Sequence, residues 1–165
     1  MKDNMTVAFM GSFNPPHIGH LEMIDMILAE REEMHLFVRY NEGVDLVSRE
    51  TKQKWFDRIS ADRDNRVHVH MFNTDNFKGK TYNKSIFVTY LHMFESMLGR
   101  RIDEVWLGED SAPLVEEARD EFPHTSFRIT AKPYNSTAIR NDFKNHRDWL
   151  PDFVQKDLEK VLGGA

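Results

Sequence analysis

Short apolar runs alternate along this chain with longer stretches of helical periodicity, and that alternation restricts the fold more than any other feature of the sequence. Thr6-Val7-Ala8-Phe9-Met10 is apolar and continuous up to Gly11, as a strand buried on both faces must be. Leu21, Ile24, Ile27 and Leu28 then recur at helical spacing in a segment running from Ile18 to about Glu33. Further strands are expected at 35–40, 67–72, 104–107 and 126–130. Further helices are expected at 49–59, after Ser48, and at 86–98 and 114–122, with the remainder mostly helical. Gly99 stands where the helix over 86–98 needs its C-terminal glycine. Strands joined each time by a helix pair in parallel and leave both faces of the sheet covered. The expectation is an α/β fold: an open parallel sheet of about five strands with helices on both faces.

The 165 residues contain no repeat, low-complexity tract or linker, and predict a single domain over 1–165. The lack of cysteine excludes disulfides, thiolate catalysis and cysteine-type zinc sites. Lys and Arg number 22 against 27 Asp and Glu, a net charge of −5 that gives no long-range attraction to nucleic acid or anionic membrane. No apolar run approaches the roughly 20 residues of a membrane span, and the opening run is too short for a signal peptide. The expectation is a soluble cytoplasmic protein with small molecules as partners, not nucleic acid or membrane; a homo-oligomer is compatible with the chain.

Some features read as structural. The nine methionines are scattered core filler, and Glu30-Arg31-Glu32-Glu33 is a solvated helix end. His68 and His70 alternate on one strand face and look toward solvent or a helix. Gly79-Lys80-Thr81 imitates the end of a P-loop, but the glycine required five residues earlier is Thr74.

The chemistry concentrates directly after the first strand, in Gly11-Ser12-Phe13-Asn14-Pro15-Pro16-His17-Ile18-Gly19-His20. In an open α/β sheet the crevice at the carboxyl ends of the strands is the usual ligand site. Gly11 permits a sharp turn out of the sheet, Pro15 and Pro16 stiffen the loop, and Gly19 leaves room at the helix start. That helix N-terminus offers free N–H groups to a phosphate. His17 and His20, three apart, direct two imidazoles at one place. Near the other end of the chain, Ser136 or Thr137 can cap a helix, and Arg140 can grip a phosphate bidentately from the next turn.

These two segments resemble the signatures of the nucleotidylyltransferase superfamily. Gly11, Phe13, Pro15, His17, Gly19 and His20 fill every fixed position of G-x-F-x-P-x-H-x-G-H. Ser136, Thr137, Ile139 and Arg140 match the second motif, I-S-S-T-x-I-R, while Tyr134 and Asn135 depart from it. Class I aminoacyl-tRNA synthetases share the His-x-Gly-His element, but they are far longer and their Lys-Met-Ser-Lys-Ser motif is absent here. Ala138-Ile139-Arg140-Asn141-Asp142-Phe143, then Trp149-Leu150-Pro151 and Val154, resembles the nicotinamide-mononucleotide adenylyltransferase part of NadR-type proteins. Gly108-Glu109-Asp110-Ser111 is similar to that group's acidic turn. The ribosylnicotinamide kinase domain of its bifunctional members is not expected within these residues.

The resemblance implies a Rossmann-like fold and transfer of AMP from ATP to nicotinamide mononucleotide, with Mg2+ carried mainly by the ATP. It implies His17, His20 and Arg140 as catalytic residues and Gly11, Ser12, Phe13, Gly19, Gly108, Ser136 and Thr137 as nucleotide-binding ones. Arg39, at the end of the second strand, and Arg49 lie where a ligand could pass or are equally surface charges. With Tyr82 they are the acceptor-binding candidates, Tyr82 or Phe87 substituting for the aromatic of the group's usual Gly-Trp, which is missing here. A phosphopantetheine adenylyltransferase, a cytidylyltransferase and a non-catalytic nucleotide-binding regulator are the alternatives.

Overall fold

The computed structural model describes residues 5–73, 86–131 and 135–162. Among the described residues five strands and six helices follow in order, alternating up to α5: β1 (Val7–Gly11), α1 (Ile18–Glu30), β2 (Met34–Arg39), α2 (Arg49–Ala61), β3 (Val67–Phe72), α3 (Ile86–Leu98), β4 (Glu104–Gly108), α4 (Ala112–Ala118), β5 (Ser126–Thr130), α5 (Ser136–Asn141) and α6 (Asp152–Val161). All strand pairs are parallel, in the order β3-β2-β1-β4-β5. This is the expected Rossmann-like sheet. β1 lies at its centre, with Phe9 opposite Leu36 of β2 and Trp106 of β4. The chain winds outward from β1 to β3, then crosses back to β4, so the strand order reverses between β1 and β4. A crevice opens at the carboxyl ends of strands where such a reversal occurs.

Alternating side chains build two cores. Phe9, Leu36, Val38 and Trp106 face one side, where Ile24 and Ile27 of α1, Trp55 and Phe56 of α2, Ile139 of α5 and Leu158 of α6 cover them. Ala8, Phe37, Phe72, Val105 and Leu107 face the other, under Phe87, Leu91 and Phe94 of α3 and Val115 of α4. Gly99 ends α3 at φ +69°, a left-handed conformation that costs glycine nothing. Helix α4 begins at Ala112, two residues before the sequence suggests, because Pro113 fits its first turn. Helix α1 stops at Glu30, and Arg31 turns inward to the buried Glu104 at 2.9 Å instead of facing solvent. Among the described residues no helix is long and apolar enough to cross a membrane.

His68 and His70 belong to a histidine cluster on the α3 face of β2 and β3. His35 Nδ1 lies 3.0 Å from His70 Nε2, Arg100 reaches His35 Nε2 at 3.1 Å, and His68 meets Glu33 at 3.1 Å. Arg100 can only donate, so His35 accepts at Nε2 and carries its proton on Nδ1, which donates to His70. Burial, reinforced by His70, His68 and Arg100, pushes His35 down to about 4. Burial lowers His70 as well, with His68 adding to it. An unfolded chain protonates His35 below about pH 6.5, whereas the folded one refuses that proton until pH nears 4. Stability is therefore present above pH 6.5 and falls between there and about pH 4, with a His35 contribution of about 3 kcal/mol. Urea midpoints measured across this range should drop accordingly. A midpoint equal at pH 7.5 and pH 4.5 would contradict a neutral His35.

Candidate active site

The loop between β1 and α1 is held by its two histidines. His17 is the N-cap of α1, and its Nδ1 accepts the His20 backbone N–H at 3.3 Å. His20 Nδ1 accepts the His17 backbone N–H in return, at 3.1 Å. The pair forms a capping box with imidazoles in both roles, and the His20 N–H also donates to the His17 carbonyl at 3.0 Å. The rings stack 3.7 Å apart with planes 16° from parallel. A ring that accepts at Nδ1 carries its proton on Nε2, so the backbone fixes both histidines as Nε2–H donors. His17 is fully buried behind its partner, while His20 lines the cleft beyond the strand ends.

Gly11 and Phe13 act on each other more than on a turn. Phe13 adopts φ +45°, rare for an aromatic residue, and packing holds it there. Its buried ring meets His20 edge-on at 4.6 Å and packs on Phe9 and Phe56 at 5.6 and 5.1 Å. A Cβ on Gly11 would come within 3.0 Å of that ring. Gly11 is glycine because the phenyl ring lies against its backbone, a reason distinct from the sharp turn read in the sequence.

Helix α5 docks its first turn on this loop. The cap of α5 is Asn135, whose Oδ1 accepts the Ala138 N–H at 2.7 Å, and not Ser136 or Thr137 as expected. Ser136 is freed from that role, and its hydroxyl donates to the Pro15 carbonyl at 2.8 Å. Arg140 donates from Nη1 to the Asn14 carbonyl at 2.7 Å and from Nη2 to Thr137 Oγ1 at 3.1 Å. Two of its five N–H groups are thereby engaged, and Arg140 lines the cleft.

That cleft, about 360 Å3, lies at the strand reversal and spans the sheet edge. Its volume falls within the roughly 300–1,000 Å3 of small-molecule sites. On the α1 side stand Ser12, Phe13, Gly19, His20, Met23, Ser136, Thr137 and Arg140; on the α3–α4 side stand Met10, Phe87, Leu107 and Leu114, with Gly108 between. One wall carries phosphate-binding chemistry and the other an apolar platform.

The profile of the cytidylyltransferase-like family matches residues 8–142, which include both motifs. The chain belongs to that family. Among solved structures it is similar to a bifunctional NMN adenylyltransferase/ADP ribose pyrophosphatase from Francisella tularensis, with 15% identity and a TM-score of 0.67. A second structure of such an enzyme from that organism, complexed with AMP and a Mn ion, matches with 14% identity and a TM-score of 0.65. These alignments cover 94% and 96% of this chain but only 49% and 50% of those chains, so it spans about half their length. Identity this low establishes a shared fold. No curated protein sequence matches the chain.

Within this family fold the acceptor candidates scatter. Arg39 ends β2, on the far side of β1 from the reversal, and does not line the cleft; its carbonyl accepts from Lys52 at 2.9 Å. Arg49 lies over the Tyr40 ring at 4.3 Å and borders a separate shallow groove at the start of α2. Tyr82 falls outside the described residues. Among the described residues, Phe87 is the aromatic side chain on the α3–α4 side of the cleft.

Two residues not singled out in the sequence hold the site together. Asn14 is buried; its Oδ1 accepts the Leu46 N–H at 2.9 Å and its Nδ2 donates to the Val44 carbonyl at 3.3 Å. It thus clamps the loop after β2 while its own carbonyl holds Arg140. Lys52, also buried, pairs with Asp45 of that loop at 3.1 Å, although burial lowers its pKa. Lys52 sits on the same helical stripe as Trp55, Phe56 and Ile59, a lysine in an apolar face that signals a buried partner. Asn14→Ala should lose about 1–3 kcal/mol, because two backbone groups of the loop lose their partner. Chemical denaturation checks this; an unchanged midpoint would mean that Lys52 and Asp45 hold the loop alone.

Proposed function

We propose that this protein is an adenylyltransferase that moves AMP from ATP to nicotinamide mononucleotide, yielding NAD and pyrophosphate, within a single nucleotidylyltransferase domain. The reading is carried by one observation: two motifs from opposite ends of the chain are stitched together at the Asn14 and Pro15 carbonyls and face one cleft with a His20 donor and an Arg140 fork. Family membership and the similarity to NMN adenylyltransferases support it.

An oxygen of the acceptor's phosphate attacks the α-phosphorus of ATP as the bond from that phosphorus to the β-bridging oxygen breaks. Pyrophosphate departs with the electron pair. No covalent enzyme intermediate is required, since positioning and charge stabilisation supply the acceleration. His20 donates its Nε2–H to the phosphates, with the His17 ring stacked behind it to fix its orientation. Arg140 holds the β- and γ-phosphates with the N–H groups not engaged by Asn14 and Thr137, and Ser12, Gly19 and Thr137 border them. Mg2+ enters on the triphosphate as part of the substrate and offsets its charge. The neighbour complexed with AMP and a Mn ion supports a divalent cation beside the nucleotide. The acceptor's ring lies on the Phe87 and Leu114 side.

Pyrophosphate release tests this, with ATP or CTP as donor and nicotinamide mononucleotide or phosphopantetheine as acceptor. The ATP and nicotinamide mononucleotide pair should be the productive one. Turnover only with CTP would favour a cytidylyltransferase, in keeping with the family profile, and turnover only with phosphopantetheine would move the acceptor. Nucleotide binding without pyrophosphate from any pair would indicate a regulator.

A further inference from the structure

Helix α2 carries a buried cation that stands outside the cleft. Lys52 is 1% exposed and interrupts the apolar stripe of Trp55, Phe56 and Ile59. Its Nζ donates to the Arg39 carbonyl at 2.9 Å, at the end of β2, and pairs with Asp45 Oδ2 at 3.1 Å. The same carboxylate oxygen accepts the Asn41 N–H at 2.9 Å. Asp45 is thus pinned by its side chain, and Asn14 grips the residues on either side of it, at the Val44 carbonyl and the Leu46 N–H. The Asn14 carbonyl in turn accepts from Arg140 Nη1 at 2.7 Å. One connected run of polar contacts and loop backbone leads from Lys52 through Asp45 and Asn14 to Arg140. A buried ion pair is weak evidence for stability, because apolar side chains of similar volume often hold such a position as well. It differs from them in direction. The pair fixes where Asp45 lies, and with it the two backbone groups that orient Asn14.

We propose that Lys52 is a positioning residue for the grip on ATP, acting through Asp45 and Asn14 on the Arg140 guanidinium. The proposal rests on the reading above in one respect, that Arg140 holds the phosphates of ATP. Lys52 does not line the cleft, so it acts only through its partners. With the ion pair in place, Asn14 presents its carbonyl at one position and Arg140 is anchored there. Without it the loop after β2 loses its tie to α2, Asn14 loses the fixed groups it grips, and Arg140 keeps its charge but not its anchor. A guanidinium fork is sensitive to such a displacement, since its value lies in fixed geometry as much as in charge. The loss should therefore appear in affinity for ATP.

The experiment combines Lys52→Met with Asp45→Asn, so that neither charge is left buried alone. Binding of ATP with Mg2+ is measured by calorimetry, and turnover with ATP varied, at a temperature where circular dichroism shows each variant folded. The paired variant should bind ATP at least about fivefold more weakly and raise KM for ATP to match, with kcat changed far less. In an Arg140→Ala background the same pair should change ATP binding by less than about twofold, because the residue it positions is gone. Arg58→Met, which removes an exposed ion pair with Asp62 at the other end of the helix, should leave ATP binding unchanged. Should the paired variant fail to fold, Asp45→Asn alone carries the comparison, since its amide oxygen still reaches Asn41 and Lys52. It should weaken ATP binding in the same direction, again only where Arg140 is present. Unchanged ATP affinity in the folded variant overturns the proposal, as does an equal loss with and without Arg140. The expected binding changes in a protein that releases no pyrophosphate with any acceptor would support the positioning role and overturn the transfer reading alone.

Discussion

His20→Ala should lower kcat by about 10²–10³ with only a modest change in KM, the usual consequence of removing one donor aimed at developing charge. The substitution also removes the Nδ1 that accepts the His17 N–H and a ring packed on Phe13, so stability should fall by about 1 kcal/mol. His20→Asn separates the two effects. An asparagine side chain can still accept the His17 amide, yet it has nothing at the Nε2 position. Stability should return in His20→Asn while turnover does not. Near-normal kcat in either variant would remove His20 from the chemistry and leave it a helix cap.

Arg140→Lys should impair use of ATP although the charge is kept. The guanidinium bonds Asn14 and Thr137 with two N–H groups while it lines the cleft, a geometry that an ammonium on a flexible stem cannot reproduce. Loss of charge-assisted hydrogen bonds of this kind is worth about 1.5–3 kcal/mol, or roughly 10–100-fold in kcat/KM for ATP. Arg140→Ala should cost more. Steady-state kinetics with ATP varied decide the point, and unchanged values in both variants would reduce Arg140 to a clasp between α5 and the Asn14 carbonyl.

Much of the fold was legible because its signals are local and repeated. A buried parallel strand reads as a continuous apolar run, and the stripes of α1 and α2 follow helical spacing, so element order emerges without tertiary information. His17, His20 and Arg140 were legible from the two motifs, and the structure brings their segments together. What was not legible depends on distance in space. Asn14 is one more polar loop residue until Leu46 and Val44 arrive from another crossover. The cap of α5 was misread because Ser, Thr and Asn all suit an N-cap, and only the Pro15 carbonyl decides where the Ser136 hydroxyl goes. Arg39 ends a strand on the correct edge of the sheet but on the wrong side of the reversal, which strand order alone reveals.

The most direct test of the account follows the α-phosphorus. The protein is incubated with ATP labelled at that position, Mg2+ and nicotinamide mononucleotide, and the products are separated. The label should pass into NAD in step with unlabelled pyrophosphate, and His20→Asn should slow the transfer by about 10²–10³ without unfolding the protein. Label that stays in ATP, or leaves it only as free AMP or ADP, would contradict adenylyl transfer to this acceptor.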